Sequence, residues 1–269
     1  MLAIDPTARV APSAVIGEDV TIGPYCVIGP NVAIGDGCNL VAHVHIAGHT
    51  TIGPQTEIYP FASLGTPPQS VHYRGGPTQL TIGAKCRIRE NVTMNIGTED
   101  GGAITTVGDN CFMMASSHVA HDCHIGDHVV FANNATIGGH VTVGEHTFLG
   151  GHAIVLQRTR IGDNVMVAGN SSTREDVIPF GFVLYATARL AGINLVGMRR
   201  RGFSRPAIHA VRAAYRGLFL AEGPFAERIA RVEAEHGQFP EVARMVAFLR
   251  ASRRPMQAKP RGSSPDMAD

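Results

Sequence analysis

An aliphatic residue recurs at every sixth position along most of this chain, and polar residues, glycine and proline fill much of the sequence between. The series runs unbroken from Ile4 to Leu64, resumes at Ile82, and continues from Val107 to Val167 after a shift of one residue. A period of six matches neither an amphipathic helix nor a half-buried strand. A hexapeptide repeat is typical of a parallel β-helix. The pattern therefore predicts a solenoid whose function lies on its outer surface or between subunits.

The repeat also predicts which side chains face inward. Three repeats make one triangular turn, so equivalent positions three repeats apart are expected to stack in adjacent turns about 4.8 Å apart. Every cysteine lies two residues before a repeat aliphatic, in a slot that otherwise holds small residues: Cys26, Cys38, Cys86, Cys111 and Cys123. A buried free cysteine behaves as a small hydrophobic residue. We therefore predict that the cysteines fill the core rather than bind metal or form disulfides.

Two segments break the repeat, residues 66–79 (the first loop) and residues 95–106 (the second loop), and both are predicted to leave the coil. Loops on a rigid scaffold often carry function. From about Ser204 the apolar spacing becomes helical, and Ser204 before Arg205-Pro206 predicts a helix N-cap. The predicted domains are an all-β solenoid over 1–195, a small helical domain over 196–252, and a tail over 253–269 whose composition favours disorder.

The overall composition narrows the function classes. The net charge is +1 and the mean hydropathy is +0.06, so the whole chain lacks the basic character of a nucleic-acid-binding protein. No apolar run approaches the roughly 18 residues that a transmembrane helix needs. The N-terminus lacks the basic start and apolar middle of a signal peptide. These features favour a cytoplasmic protein without a transmembrane segment.

Histidines crowd the middle turns of the predicted coil. His121 lies two residues after the inward position of Val119, so it is expected to project from a corner, with Asp122 beside it. One full turn further along the chain, the same position holds a glycine beside another histidine, and two full turns further it holds a glutamine. The resulting His121 strip spans three adjacent turns and consists of His121, Asp122, Gly139, His140 and Gln157.

The His121 strip suits acyl transfer to a hydroxyl group. A neutral His121 can take the proton of an alcohol as its oxygen attacks a thioester. Asp122 can fix the imidazole tautomer and stabilise the imidazolium, and the backbone N–H of Gly139 can face the developing oxyanion. The sequence has no G-x-S-x-G motif, and Cys123 is predicted to face inward. Direct transfer without a covalent intermediate is therefore the simpler hypothesis.

Two other classes of function are alternatives to acyl transfer. The γ-class carbonic anhydrases share this repeat and bind metal through histidines, two of which are five residues apart; no two histidines here have that spacing. We therefore predict no metal and no cofactor. A catalytically silent β-helix that acts as a binding scaffold would require the His121 strip to be incidental.

Several motifs resemble bacterial UDP-N-acetylglucosamine acyltransferases. The most specific are HVAHDCHIG (118–126), ANNATIGGHVTVG (132–144) and GMRRRGFSR (197–205), and the similarity extends over most of the chain, including both loops and the helical end. The resemblance implies a left-handed parallel β-helix followed by a C-terminal helical domain, assembled as a homotrimer with active sites between subunits. It also implies transfer of an (R)-3-hydroxyacyl chain from acyl carrier protein to the 3-hydroxyl of UDP-N-acetylglucosamine, the first step of lipid A biosynthesis.

The resemblance assigns roles by motif position. It makes His121 the general base, Asp122 its partner and Gly139 the oxyanion donor, and it places acyl-length selection at Gly169. The positions that contact the substrate in the family correspond to His118, His140, Gln157, His72, Asn194 and Arg201. A basic patch near the start of the helical domain would attract an acidic carrier protein. This basic patch consists of Arg199, Arg200, Arg205, Arg212 and Arg216.

The chain also departs from the family pattern at four positions. Ser70 and His72 stand where the family commonly has an acidic residue and a lysine, and Asn95 and Leu156 each replace a histidine. These changes spare His121 and Asp122 but alter the surroundings of the sugar and the nucleotide. The sequence therefore leaves open the acyl chain length and a second acceptor, the 3-amino analogue of the UDP-sugar, whose N-acylation would use the same strip.

Overall fold

The computed structural model describes residues 2–184, 186 and 188–252, so the predicted disordered tail lies outside the described residues. The six-residue pattern forms short strands in three sheets, which are the faces of one coil. Parallel pairing joins equivalent positions of adjacent turns, such as Ala3 with Thr21 and Thr136 with Ile154. The fold is the predicted left-handed parallel β-helix followed by helices. Among the described residues, no helix has the length and apolar character to cross a membrane.

Most strands are only two residues long, and each face is built from every third strand of the chain. The first face contains Ala3–Ile4, Thr21–Ile22, Asn39–Leu40, Glu57–Ile58, Arg87–Ile88, Phe112–Met113, Val130–Phe131, Phe148–Leu149, Met166–Val167, Gly181–Leu184 and the antiparallel Arg189–Ile193. The second face contains Arg9–Val10, Val27–Ile28, His45–Ile46, Ser63–Thr66, Thr93–Asn95, His118–Val119, Thr136–Ile137, Ile154–Val155 and Ser172–Thr173. The third face contains Val15–Ile16, Val32–Ile34, His49–Ile52, Gln79–Ile82, Ile104–Val107, His124–Ile125, Thr142–Val143 and Arg160–Ile161.

The interior of the coil holds the repeat aliphatics and the cysteines. Aliphatic side chains in successive turns, such as Leu40, Ile58 and Ile88, are fully buried, and removal of this apolar surface from water drives the coil to form. All five cysteines are buried with free thiols, which confirms the prediction that they fill the core. Burial raises the pKa of the Cys123 thiol to about 12.

The corners of the coil use the left-handed backbone conformation, mostly at residues other than glycine. Asn110, Asp122, His128 and His140 have φ values of 55°, 58°, 58° and 60°. Asn, Asp and His are among the side chains that adopt this conformation most readily. One consequence is that Asp122 and His140 occupy equivalent corner positions in adjacent turns.

Four helices follow the coil: α1 (Leu195–Arg200), α2 (Arg205–Phe219), α3 (Phe225–His236) and α4 (Pro240–Ala251). The Oγ of Ser204 accepts a hydrogen bond from the backbone N–H of Ala207 at 3.3 Å, which confirms the predicted N-cap of α2. The helix α1 was not predicted, because it is too short to show a helical period.

The helices return to the coil through α4. The guanidinium Nη1 of Arg244 lies 3.2 Å from both Glu145 Oε1 and Asp163 Oδ2, on one corner of the coil. Ser252 donates a hydrogen bond of 2.6 Å to the buried carboxylate of Asp176. These contacts attach α4 to the coil at Arg244 and at its C-terminal end. The predicted division of the chain into domains stays a prediction.

Candidate active site

The His121 strip lies at the corner between the second and third faces. The backbone N–H of His140 donates to His121 O at 3.0 Å, and the N–H of Arg158 donates to Gly139 O at 2.9 Å. These bonds place His121, Gly139 and Gln157 in one column, as the stacking of successive turns predicted. Asp122, His140 and Arg158 form the neighbouring column, in which each residue has a left-handed φ.

His121 and Asp122 form a hydrogen-bonded pair. The Nδ1 of His121 lies 2.8 Å from Asp122 Oδ2, and the side-chain exposure is 16% for His121 and 0% for Asp122. A carboxylate accepts hydrogen bonds, so it holds the proton of a neutral imidazole on Nδ1. In this tautomer the lone pair of Nε2 is free, so Nε2 can accept a proton.

The Asp122 carboxylate is held from its other side by Thr98. The Thr98 backbone N–H donates to Oδ1 at 2.9 Å, and the Thr98 hydroxyl donates to Oδ2 at 2.6 Å. The Asp122 backbone N–H donates to Thr105 Oγ1 at 2.8 Å. Burial raises the pKa of Asp122, but the hydrogen bonds from Thr98 and His121 outweigh burial and hold the pKa below its usual value. The carboxylate therefore stays ionised although it is buried.

Sequence reasoning did not single out Thr98 or Thr105. Both lie in the second loop, whose insertion breaks the regular spacing between stacked positions. Pairing there joins Thr93 to His118 across a longer stretch of chain than one regular turn. The one available signal was that the second loop leaves the coil immediately before the turn that carries His121.

Two further histidines flank the pair. The His140 ring meets the His121 ring edge to face, with centroids 5.1 Å apart, and His140 Nδ1 lies 3.9 Å from Asp122 Oδ2. Burial lowers the pKa of His140, against the opposing effect of Asp122. His118 Nδ1 lies 2.7 Å from Thr93 Oγ1, and burial lowers the pKa of His118 as well. Both flanking rings are therefore neutral at neutral pH.

Gly139 lies directly against the His121 ring. A Cβ atom at this position would be 2.5 Å from His121 Cε1 and 2.7 Å from His121 Nε2, so a side chain would displace the imidazole. The Gly139 N–H donates no hydrogen bond to any residue within the described part of the chain. An unused donor therefore lies near the nitrogen that can accept a proton.

The remaining positions predicted to contact the substrate or the acyl chain differ in whether they lie in the His121 strip. Gln157 is exposed in the turn that follows Gly139. His72 is exposed in the first loop, where its backbone N–H donates to Ser70 Oγ at 3.3 Å. Gly169 lies at the corner after Met166–Val167, and a Cβ there would lie 3.0 Å from Gly151 O. The structure thus places Gln157 in the strip and leaves His72 and Gly169 outside it.

Asn194 and Arg201 lie at a different corner from His121. Asn194 caps α1, because its Oδ1 accepts from the Gly197 N–H at 2.9 Å while its Nδ2 donates to Asn164 O at 2.9 Å. The Nε and Nη2 atoms of Arg201 are buried and have no hydrogen-bond partner among the described residues, and burial lowers the pKa of Arg201. A buried cation without a partner is costly, so this guanidinium favours an anionic ligand.

The basic patch is available for binding. Its members Arg199, Arg200, Arg205 and Arg216 are exposed and Arg212 is partly buried. Residues 205, 212 and 216 follow a helical spacing along α2 that puts them on one face. Within the described residues, none of the five pairs with a carboxylate.

The corner that carries His121 also contains a possible metal-ligand set. One ligand atom from each of His121, Asp122 and His140 lies within 4.8 Å of the others. However, Asp122 Oδ2 already accepts hydrogen bonds from Thr98 and His121. A metal at His121 Nδ1 would have to replace the proton that this bond holds. The donor arrangement therefore favours proton transfer over metal binding.

Comparison with known proteins defines the class first. Residues 13–48 and 104–139 match the family described as bacterial transferase hexapeptide (six repeats), and residues 140–172 match the hexapeptide repeat of succinyl-transferase. The coil is therefore a hexapeptide-repeat transferase domain. Residues 176–257 match domain 2 of UDP N-acetylglucosamine O-acyltransferase.

Relatives over the whole length identify the family. The chain is 55% identical to acyl-[acyl-carrier-protein]–UDP-N-acetylglucosamine O-acyltransferase of Azorhizobium caulinodans, with 92% of each chain covered. It is 50% identical to the enzyme of that name from Caulobacter vibrioides, with 93% of this chain and 95% of the relative covered. The structure of LpxA from Acinetobacter baumannii superposes with a TM-score of 0.92 at 39% identity, covering 94% of this chain and 99% of that one. The chain belongs to the UDP-N-acetylglucosamine O-acyltransferase family.

Proposed function

We propose that this protein transfers an (R)-3-hydroxyacyl chain from acyl carrier protein to the 3-hydroxyl of UDP-N-acetylglucosamine, the first step of lipid A biosynthesis. The observation that carries the proposal is the His121–Asp122 pair, 2.8 Å apart, beside the unused N–H of Gly139. The names of the relatives at 55% and 50% identity support the same substrates. They also favour oxygen over nitrogen as the acceptor atom.

The chemistry follows from the positions of these three residues. His121 Nε2 takes the proton of the sugar hydroxyl while the oxygen attacks the thioester carbonyl. Formation of the C–O bond gives a tetrahedral intermediate, whose oxyanion accepts a hydrogen bond from the Gly139 N–H. The C–S bond then breaks, and the departing thiolate of the carrier takes the proton from the imidazolium. Asp122 keeps the imidazole oriented and stabilises its charged form in between.

Direct transfer is preferred over a covalent acyl-enzyme. Cys123 is the cysteine nearest in sequence to His121, but its thiol is buried and burial raises its pKa to about 12. The thiolate is the nucleophilic form of cysteine. Cys123 therefore does not supply a nucleophile at neutral pH.

The departure at Asn95 has a structural purpose. This buried side chain donates from Nδ2 to Pro67 O at 3.0 Å and to Thr66 Oγ1 at 3.1 Å. Asn95 therefore fixes the start of the first loop to the second. We propose that this tie replaces the histidine of the family pattern without removing any group that the proton transfer needs.

We also propose a homotrimer with active sites between subunits. The first face carries an outward column of apolar side chains in register, which a neighbouring subunit would cover: Phe112, Val130, Phe148, Met166 and Phe182. Asn194 and Arg201 lie at a different corner from His121, so they would serve the site of a neighbouring subunit. There Arg201, whose Nε and Nη2 have no hydrogen-bond partner among the described residues, would meet the nucleotide phosphates. His118, His140, Gln157 and His72 would contact the sugar.

The acyl donor has two proposed contacts. The basic patch would dock the acidic carrier protein, because opposite charge speeds the encounter of two proteins. Gly169 would set acyl length, because the absence of a side chain there leaves room for a longer chain, whereas a Cβ would lie 3.0 Å from Gly151 O. Since carrier protein and nucleotide sugar are both cytoplasmic compounds, we place the reaction in the cytoplasm.

A reconstituted assay tests the function. Purified protein would receive hydroxyacyl-carrier proteins of several chain lengths, with either UDP-N-acetylglucosamine or its 3-amino analogue, and products would be measured by mass spectrometry. We expect an ester of UDP-N-acetylglucosamine and one preferred chain length. Turnover of the amino sugar alone, or of neither sugar, would contradict the proposal. Light scattering would check for three copies of the 28.5 kDa chain.

A further inference from the structure

The second loop is folded onto the carboxylate of Asp122. A Cβ on Gly101 would lie 2.1 Å from Asp122 Oδ2, and a Cβ on Gly97 would lie 2.8 Å from Asp122 Oδ1. No other residue type fits at these two positions while the loop keeps this path. The two glycines let the loop backbone cover the carboxylate, which is why a charged side chain so close to the surface is fully buried.

Between these glycines, Thr98 binds both oxygens of the carboxylate. Its backbone N–H donates to Oδ1 and its hydroxyl donates to Oδ2, at 2.9 Å and 2.6 Å. Oδ2 is also the atom that faces His121 Nδ1 at 2.8 Å. With a donor fixed on each oxygen, the plane of the Asp122 carboxylate cannot turn, and one lone pair of Oδ2 stays directed at the imidazole.

The loop that presents Thr98 is anchored in turn to the first loop. The hydroxyl of Thr78 donates to Gly97 O at 2.6 Å. Glu99 Oε1 accepts a hydrogen bond from the backbone N–H of Gly76 at 2.7 Å. Both neighbours of Thr98 in the sequence are thus tied to the first loop, so its two donors are held in place before any substrate binds.

We infer that Thr98 is a positioning residue for acyl transfer, which acts through Asp122 to hold the His121 imidazole in its base form. This inference rests on the proposed function and adds the second loop to the machinery of the same site. Thr98 does not touch the reacting atoms. Its two donors select one orientation of the carboxylate, and the carboxylate selects one tautomer and one orientation of the ring.

Replacing Thr98 by valine isolates the hydroxyl, since valine has the same shape and keeps the backbone N–H. Oδ2 then loses a donor and becomes a stronger acceptor for His121. The charged form of the His121 ring is then stabilised. Proton transfer to the neutral ring starts from a less ordered His121–Asp122 pair. We expect kcat to fall about 10- to 100-fold, the effect of losing a hydrogen bond to a charged group. The KM values for both substrates should change less than about 3-fold, since neither substrate contacts the hydroxyl.

Two control variants and a pH profile separate positioning from packing. Thr98→Ser keeps the hydroxyl and should restore kcat to within about 3-fold of the unmodified protein. Thr173→Val makes the same change at a buried threonine whose Oγ1 has no partner among the described residues, and should leave kcat unaltered. In Thr98→Val the acid limb of the kcat/KM profile should move to higher pH, a change that a merely structural role would not produce.

The inference is overturned if Thr98→Val keeps the kcat and pH profile of the unmodified protein, or if Thr98→Ser is as slow as Thr98→Val. Nitrogen-15 NMR of the histidines tests it without substrate, with the His121 signals assigned by their loss in His121→Gln. We expect His121 to carry its proton on Nδ1 and this preference to weaken in Thr98→Val. If the NMR change occurs but no acyl transfer is detected in any variant, the proposed function fails while the positioning role of Thr98 stands.

Discussion

Two pairs of histidines lie in adjacent turns of this coil, and only one of them is arranged as a base. His128 and His146 occupy the same corner position of their turns and stack in parallel, with centroids 4.6 Å apart and an interplanar angle of 9°. His121 and His140 are offset by one position and meet at 90°, with centroids 5.1 Å apart. His128 and His146 therefore share one column of stacked positions, whereas His121 and His140 lie in two neighbouring columns.

That offset decides what each ring can bind. In the His121 pair, the position equivalent to His140 in the preceding turn is occupied by Asp122, whose Oδ2 lies 2.8 Å from His121 Nδ1 and 3.9 Å from His140 Nδ1. In the His128 pair both positions of the column are histidines, and within the described residues neither ring is hydrogen-bonded to a carboxylate. Burial lowers the pKa of His146, and His128 lowers it further. A buried, oriented carboxylate, rather than the number of histidines, is what makes a base at a corner.

The largest expected effect separates the two pairs directly. We expect His121→Ala to lower kcat about 10³- to 10⁴-fold, because it removes the general base. His128→Ala, the matched change at the stacked pair, should alter kcat less than about 3-fold, since it removes only a surface ring contact. Steady-state rates with both substrates saturating provide the measurement. Equal losses in the two variants would show that stacking in the coil, and not proton transfer, explains the effect.

Removal of the carboxylate charge should have the next largest effect. Asp122→Asn replaces an acceptor by an amide that cannot accept from Thr98 and His121 through both oxygens, so the imidazole loses its fixed tautomer. We expect kcat to fall about 10²- to 10³-fold with little change in KM. Circular dichroism should show the coil intact. A variant with full activity would mean that Asp122 supports the corner and takes no part in catalysis.

Gly139→Ala tests the space that the base occupies. The added Cβ would lie 2.5 Å from His121 Cε1, so the ring must move by about an ångström, which costs an enzyme about 10²-fold in rate. Gly192→Ala is the matched control, because a Cβ there meets no atom within 4 Å. Comparable thermal unfolding of the two variants, with a rate loss only in Gly139→Ala, is the expected result. An active Gly139→Ala would show that His121 can work from another position.

The sequence predicted the repeating part of this site and the positions of its two loops, but not the contacts that the loops make with the site. The six-residue period predicted the fold, the inward cysteines and the strip from His121 to Gln157, because stacked turns convert sequence spacing into distance. Thr98 was not predicted, because the inserted loop lies between the paired residues Thr93 and His118. Sequence spacing there no longer gives the distance between stacked positions. The Asn194 side chain caps α1, a contact that no spacing indicated, since α1 itself was too short to be predicted.

The smallest expected effect is on the free energy of unfolding. Asp122 and His146, which lie at two different corners, should contribute to it in different pH ranges. The pKa of Asp122 is lower in the folded protein than its unfolded value of about 3.9. Its stabilising contribution is therefore fully present above that value and is lost as the pH falls through the folded pKa. The pKa of His146 is also lowered on folding, from about 6.5, so its contribution disappears in a range beginning near that pH.

Urea unfolding at fixed protein concentration, repeated from pH 8 down to pH 3, would reveal both ranges. The difference in unfolding free energy between the unmodified protein and His146→Gln should shrink as the pH falls below about 6.5. The difference for Asp122→Asn should persist through that range and shrink only below about pH 4. A loss of the Asp122 difference already near pH 6 would mean that the hydrogen bonds to this carboxylate do not hold its pKa below the usual value. The pH at which the Asp122 difference shrinks therefore tests whether its hydrogen bonds keep this buried carboxylate ionised.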